Sequence, residues 1–154
     1  MTTKEEVLVF QEDWGKGIIN ISKTFQEGGD YIEEAQDFVG RLYAYEDEEE
    51  VLFKPTLAAE KQFRLDKVAA LSYFVGGNSD FPEDTGFAIK GWNKVKWENV
   101  GIRITQDCIV CMGNYFFGMD KKDDLKVEYS LVLKKIRGVL KIILHDSHLP
   151  YQNR

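Results

Sequence analysis

The hydrophobic period of the chain changes near residue 90, and this change limits the folds that it can adopt. Before that point apolar residues such as Val7, Phe10 and Trp14 recur at steps of three and four, which is the spacing of an amphipathic helix. After it, four runs rich in Val, Ile, Tyr and Trp follow one another with short polar connections. Such runs are typical of an antiparallel meander. Helices followed by a meander indicate an α+β domain.

The boundaries of these elements follow from turn and cap residues. We predict helices over residues 4–27, 30–45 and 66–74, and strands over residues 94–105, 108–118, 125–135 and 139–147. Gly28 and Gly29 end the first helix, and Asp30 and Asp66 cap the other two. An acidic run at residues 46–50 precedes a short apolar segment at residues 51–53. We expect a single domain over residues 1–154, a cone in which the helices and a curved sheet enclose a pocket.

Composition and charge exclude several classes of function. The 154 residues include 26 acidic and 20 basic side chains, a net charge of −6, which disfavours binding to nucleic acid or to an anionic membrane. No uncharged apolar run approaches the roughly 20 residues of a membrane span, and no apolar segment of a signal peptide follows residues 1–6. We therefore expect a soluble protein, in the cytoplasm or, if the chain is excised from a longer precursor, in the chloroplast or another organelle.

The cysteines and histidines do not form a recognisable metal site. Cys108 and Cys111 form a C-x-x-C, but on a strand side chains three residues apart point to opposite faces and cannot form a disulfide. His145 and His148 are the only two histidines, and on a strand they too point to opposite faces. A zinc site needs further ligands at compatible spacing. We therefore expect two buried thiols, no protein-held metal and no cofactor.

Seven strings of residues, in order along the chain, resemble a known family. They are Gln11–Gly15, Val51–Ala58, Ala70–Gly77, Glu83–Phe87, Met112–Tyr115, Lys126–Tyr129 and His145–Tyr151. The order of elements and the ending His-x-Ser-x-Leu-Pro look like the cone superfamily of nuclear transport factor 2, which includes SnoaL-like proteins and kinase association domains. The whole set of strings resembles the iota-class carbonic anhydrases more closely. This resemblance implies reversible hydration of carbon dioxide to bicarbonate without a metal.

The same resemblance implies candidate site residues. Family members have a pocket lined by Thr, Tyr, Ser and His, and Thr56 and Tyr73 match this lining. Their hydroxyl groups are neutral donors suited to holding substrate oxygens as negative charge develops. The family's closing motif resembles His-His-Ser-Ser-Leu-Pro, whereas residues 145–150 read His-Asp-Ser-His-Leu-Pro. The second and fourth positions of the motif therefore differ.

The alternation of the last strand decides which of these tail residues reach the pocket. We expect Asp146 and His148 to share the pocket face, roughly 6–7 Å apart. An Asp beside a His can orient the imidazole so that it positions or deprotonates water, and Ser147 would help to bind substrate. In the opposite register His145 and Ser147 face the pocket, and the family's chemistry is retained more literally.

Two functions are compatible with the sequence. One is a carbonic anhydrase acting on carbon dioxide and bicarbonate. The other is a catalytically diverged cone that binds a small ligand or serves as an oligomerisation module, which the altered tail motif favours. For either function we expect a homodimer, formed through a sheet face that the helices leave uncovered. The aromatic side chains expected on that face are Trp97, Tyr115, Phe117 and Tyr129.

Overall fold

The computed structural model describes residues 1–47 and 50–153, so that residues 48 and 49 of the acidic run lie outside the described residues. This part of the chain contains three α-helices, α1 (Lys4–Gln26), α2 (Tyr31–Leu42) and α3 (Lys67–Val75). It also contains five strands, β1 (Leu52–Lys54), β2 (Lys94–Ile104), β3 (Ile109–Gly118), β4 (Leu125–Ile136) and β5 (Val139–His148). None of the helices described is long and apolar enough to cross a membrane. The predicted α+β order, with its long N-terminal helix, is confirmed.

Side-chain caps define where the helices begin. Thr3 and Glu6 cap α1 reciprocally, since each side chain accepts a hydrogen bond from the other's backbone N–H. The predicted caps Asp30 and Asp66 are confirmed, because each carboxylate accepts an N–H from the first turn of its helix. The second helix is shorter than predicted: Tyr43 has an extended backbone, with φ −110° and ψ 145°. Its side chain is fully buried.

The five strands form one sheet in the order β1-β5-β4-β3-β2. Strands β2 to β5 pair antiparallel, as the predicted meander requires. Strand β1 was expected only as a short apolar segment, and it instead pairs parallel with β5 through residues 52–54. A strand of three residues is too short to show alternation in the sequence. It nevertheless places Phe53 directly beside His145.

The aromatic residues of the sheet face the helices. Tyr115, Phe117 and Tyr129 are each at most 2% exposed. Trp14 of α1 packs on this face, with its ring 5.5 Å from that of Trp97 and 5.7 Å from that of Tyr115. The prediction that these aromatics form an uncovered dimer face is therefore wrong, because the long first helix lies across them.

A β-bulge in β5 changes the alternation of its last residues. Ile142 pairs with Leu133, and Leu144 pairs with the preceding residue of β4, Val132. Ile143 is therefore an extra residue, and such an insertion shifts all later side chains to the other face of the sheet.

The shift exchanges the two faces of the tail. His145 and Ser147 are 2% and 1% exposed and point into the interior. The side chains of Asp146 and His148 are 48% and 46% exposed. The prediction that Asp146 and His148 face the pocket is thus wrong, and the opposite register is the one observed.

The two cysteines are free thiols in different environments. Cys111 lies on the inner face of β3, where burial raises its pKa to about 12. Cys108 lies in the turn before β3 and is only half-buried, so the prediction of two buried thiols holds for Cys111 alone.

Candidate active site

A small cavity lies between α1, α3 and the inner face of the sheet. It is lined by Trp14, Phe53, Pro55, Thr56, Tyr73, Phe74, Phe87, Tyr115, Phe117, His145 and Ser147. The space open to the centre of a water-sized sphere is about 10 Å³, which is about what a single water molecule needs. The cavity thus brings together three of the predicted site residues, Thr56, Tyr73 and Ser147.

Four polar side chains of this cavity form one hydrogen-bonded chain. Thr56 Oγ1 lies 2.7 Å from Ser147 Oγ, which lies 2.6 Å from the hydroxyl of Tyr115. That hydroxyl in turn lies 3.0 Å from Nε2 of His145. These side chains come from three parts of the sheet: Thr56 from the loop after β1, Tyr115 from β3, and His145 and Ser147 from β5. The hydrogen-bonded chain therefore forms only when the sheet is complete.

The hydrogen-bonded chain continues inward beyond the cavity. Nδ1 of His145 lies 2.9 Å from the Tyr43 hydroxyl, to which the indole N–H of Trp14 donates over 3.1 Å. The sequence did not predict Tyr43, Tyr115 or Trp14 as residues of the site. Tyr115 and Trp14 lie within the family-like strings, which was a usable signal. Tyr43 lay in a stretch predicted as helix, and nothing in the sequence singled it out.

Tyr73 lies next to Thr56, at the cavity end of this hydrogen-bonded chain. Its hydroxyl accepts a hydrogen bond from the backbone N–H of Leu57 over 3.2 Å. Because Leu57 follows Thr56, one loop places both predicted hydroxyl groups at the cavity wall.

Burial keeps the titratable groups of the cavity uncharged. It lowers the pKa of His145 to about 3, so the imidazole is neutral at physiological pH. It raises the pKa of Tyr73 and Tyr115 well above the usual value for a phenol. The residues described along the cavity wall include no carboxylate and no amine. The arrangement can donate and accept hydrogen bonds, but it holds no charged acid or base.

A buried ion pair holds the loop that carries Thr56. The guanidinium of Arg64 forms two hydrogen bonds with the carboxylate of Asp84, of 2.7 and 2.8 Å. Asp84 also accepts a hydrogen bond of 2.6 Å from Ser72 on α3, the residue before Tyr73. The pair therefore fixes the loop against the helix that supplies the second hydroxyl.

Glu83 also holds the loop that carries Thr56. Its carboxylate accepts hydrogen bonds from three consecutive backbone N–H groups, at residues 59–61. Phe87, at the end of the same family-like string, forms part of the cavity wall. The string Glu83–Phe87 thus positions the site.

Asp146 and His148 stand together, but outside the cavity. His148 Nε2 lies 3.1 Å from a carboxylate oxygen of Glu128, and Nδ1 lies 3.9 Å from a carboxylate oxygen of Asp146. These three side chains are on the outer face of the sheet. Over residues 1–47 and 50–153, no group of three or more His, Cys, Asp or Glu side chains is arranged as a metal site.

Comparisons with known proteins support the resemblance inferred from the sequence. Residues 5–149 match the family model of metal-independent carbonic anhydrases. The chain is 38% identical to the metal-independent carbonic anhydrase of Nostoc sp. (strain PCC 7120), over 97% of this chain and 75% of that protein.

The fold agrees with a solved structure of the same class. The crystal structure of an iota-carbonic anhydrase from a cyanobacterium, complexed with bicarbonate, superposes with a TM-score of 0.94 and 36% identity, over 99% of this chain and 94% of that one. A calcium/calmodulin-dependent protein kinase II association domain from Xanthomonas campestris shares the fold, with a TM-score of 0.66 and 22% identity over 99% of this chain and 91% of that one. So does a nuclear transport factor 2-like protein of unknown function from Shewanella oneidensis, with a TM-score of 0.54 and 14% identity over 94% and 97%. The chain belongs to the iota-class, metal-independent carbonic anhydrase family.

Proposed function

We propose that this chain catalyses the reversible hydration of carbon dioxide to bicarbonate in the cavity beside Thr56, Tyr73 and Ser147, without a metal. Family membership supports the reaction. The observation that carries the proposal is the hydrogen-bonded chain from Thr56 to His145, which ends in a buried neutral imidazole. It supplies proton donors and acceptors at the wall of this cavity.

The aromatic walls suit the apolar substrate, and the hydroxyl groups suit the change in its charge. As water adds to the carbon, negative charge develops on the substrate oxygens, and fixed donors aimed at those oxygens lower the barrier. Thr56 donates to one oxygen. Tyr73 already accepts the N–H of Leu57, so its own proton is available for the other.

An uncharged site favours a neutral transfer of protons. The water oxygen forms a bond to carbon while one C=O bond becomes a single bond. A proton from the water passes to Ser147 Oγ, the proton of Ser147 passes to Thr56 Oγ1, and the proton of Thr56 passes to the substrate oxygen. The product is carbonic acid, which loses a proton to solvent and becomes bicarbonate. Tyr115 donates to Ser147 throughout and stabilises the charge that builds up on Oγ.

The homodimer predicted from the sequence is retained in this proposal on a different face. On the outer side of the sheet, Val110, Val132, Leu144 and Leu52 are direct cross-strand neighbours, and we name them the apolar row. Val110 and Leu52 are 44% and 46% exposed. A second copy placed on this row would cover it.

The dimer is tested by light scattering at micromolar concentration. The unmutated chain should show twice the monomer mass, and Val110→Glu, which places a charge in the apolar row, should give a folded monomer. A monomeric unmutated chain, or a Val110→Glu variant that stays dimeric, would contradict this face.

Stopped-flow measurement of carbon dioxide hydration tests the proposed activity. We expect the purified chain to accelerate hydration above the buffer rate, equally before and after chelation. A rate no faster than buffer would contradict the proposal and favour the diverged binding or oligomerisation module. Tightly held, stoichiometric zinc or manganese that activity requires would contradict its metal-free part.

A further inference from the structure

The hydrogen-bonded chain has a donor-only group at its inner end. The indole N–H of Trp14 can donate but cannot accept, and it donates to the Tyr43 oxygen over 3.1 Å. The Tyr43 hydroxyl is fully buried, and among the described residues its other hydrogen-bond partner is Nδ1 of His145, 2.9 Å away. Its proton must therefore point to Nδ1, because a buried donor without an acceptor is destabilising.

This first step fixes the direction of the hydrogen bonds as far as Ser147. Since Nδ1 accepts, the proton of the neutral imidazole is on Nε2, which donates to the Tyr115 oxygen over 3.0 Å. Tyr115 then donates to Ser147. Because Ser147 Oγ accepts this bond, its own proton is free to be donated to Thr56 Oγ1, 2.7 Å away. Thr56 is left with a proton that points into the cavity.

The opposite polarity leaves one group unsatisfied. If Nδ1 carried the proton, it would donate to the Tyr43 oxygen, which already accepts from Trp14. The Tyr43 proton would then have no acceptor, and an acceptor in the place of Trp14 would be needed to satisfy it. Thr56 would donate to Ser147 and present only lone pairs to the substrate.

We propose that Tyr43, held by Trp14, is a positioning residue that keeps His145 in its Nε2–H form. The hydroxyl groups of the hydrogen-bonded chain then donate in the direction of Thr56. The consequence for catalysis rests on the proposed function, whereas the form of His145 does not. Tyr43 is not among the residues that line the cavity, so it acts on the substrate only through His145, Tyr115 and Ser147.

Nitrogen-15 NMR of the imidazole groups tests the assigned Nε2–H form of His145, because the protein sequence has only two histidines. In a His148→Gln background the remaining signals belong to His145. We expect a protonated Nε2 and a bare Nδ1 that accepts a hydrogen bond. In Tyr43→Phe, Nδ1 loses its donor and the Nδ1–H form should become detectable. Carbon dioxide hydration should fall at least about tenfold in kcat with KM nearly unchanged, because the substrate contacts are intact.

Tyr129→Phe is the matched control, since Tyr129 is a buried tyrosine that bonds Gln11 and Asn99 instead of His145. It should change neither the spectrum nor the rate. An unmutated chain with the proton on Nδ1, or a Tyr43→Phe variant that behaves like Tyr129→Phe, would overturn the assignment. Should Tyr43→Phe fail to fold, the unmutated spectrum decides alone. An inactive chain with the Nε2–H form would reject the proposed function and leave the polarity standing.

Discussion

The imidazole of His145 stacks on the ring of Phe53, with centroids 5.0 Å apart and planes 15° apart. The two residues are also backbone partners across β1 and β5. The short strand β1 therefore seals one face of the imidazole from solvent. This burial lowers the pKa of His145 to about 3 and makes its neutral form the one available to the site.

The first prediction concerns stability against pH. In the unfolded chain a histidine binds a proton below a pKa of about 6.5, whereas folded His145 does so only near 3. The unfolded state therefore binds more protons between these values, and the free energy of unfolding should fall by about 1 kcal/mol per pH unit as pH decreases through that window.

Urea unfolding at pH 7, 6 and 5 measures this dependence. The slope against pH should be smaller in His145→Gln than in the unmutated chain. Equal slopes in the unmutated chain and His145→Gln would contradict a buried neutral imidazole.

The second prediction concerns the two hydroxyl groups at the cavity wall. Tyr73→Phe and Thr56→Val each keep the shape of the side chain and remove one donor to a substrate oxygen. Loss of one such donor typically lowers the rate about 10²–10³-fold, and we expect this loss in stopped-flow hydration assays. Thr24→Val removes a hydroxyl that bonds Glu34 on the helical surface and should leave the rate unchanged. Full activity in folded Thr56→Val and Tyr73→Phe would exclude both roles.

The third prediction concerns the ion pair that holds the Thr56 loop. The side chains of Arg64 and Asp84 are 0% and 2% exposed, so Asp84→Asn removes the closer counter-charge of a buried guanidinium and leaves it the carboxylate of Glu83, 4.0 Å away. Breaking a buried pair in this way typically costs about 3–5 kcal/mol. Urea unfolding should show a loss of this size, whereas Asp37→Asn, in an exposed pair with Arg41, should have little effect. Similar small losses in the free energy of unfolding for both variants would contradict a stabilising role for the Arg64–Asp84 pair.

The fourth prediction concerns the altered tail. Asp146 and His148 lie on the outer face of the sheet, so restoring the family motif with Asp146→His and His148→Ser should leave carbon dioxide hydration unchanged. A well-folded double variant that loses activity would show that the outer pair contributes to the reaction.

The sequence predicted the elements well and the orientation of the last strand poorly. Helical spacing and the caps Asp30 and Asp66 located the helices, and alternation located the meander. The bulge at Ile143 had no signal, because residues 142–144 are all apolar and either register buries some of them. The break at Tyr43 was hidden for a similar reason, since its apolar neighbours continue the helical spacing.

The same limits explain which site residues could be predicted. Thr56, Tyr73 and Ser147 were accessible through the family resemblance. The connection from His145 to Tyr43 and Trp14 depends on side chains 102 and 29 residues apart in sequence, which only the folded sheet and helices bring into contact.

Removing the hydroxyl at the centre of the hydrogen-bonded chain is the sharpest test of whether that chain catalyses the reaction. Ser147→Ala interrupts the path between Tyr115 and Thr56, and Ser130→Ala makes the same substitution on the outer face of β4. After chelation, stopped-flow hydration of carbon dioxide should be about 10²-fold slower or more in Ser147→Ala than in the unmutated chain, and unchanged in Ser130→Ala. A folded Ser147→Ala variant as active as Ser130→Ala would contradict catalysis by this hydroxyl chain.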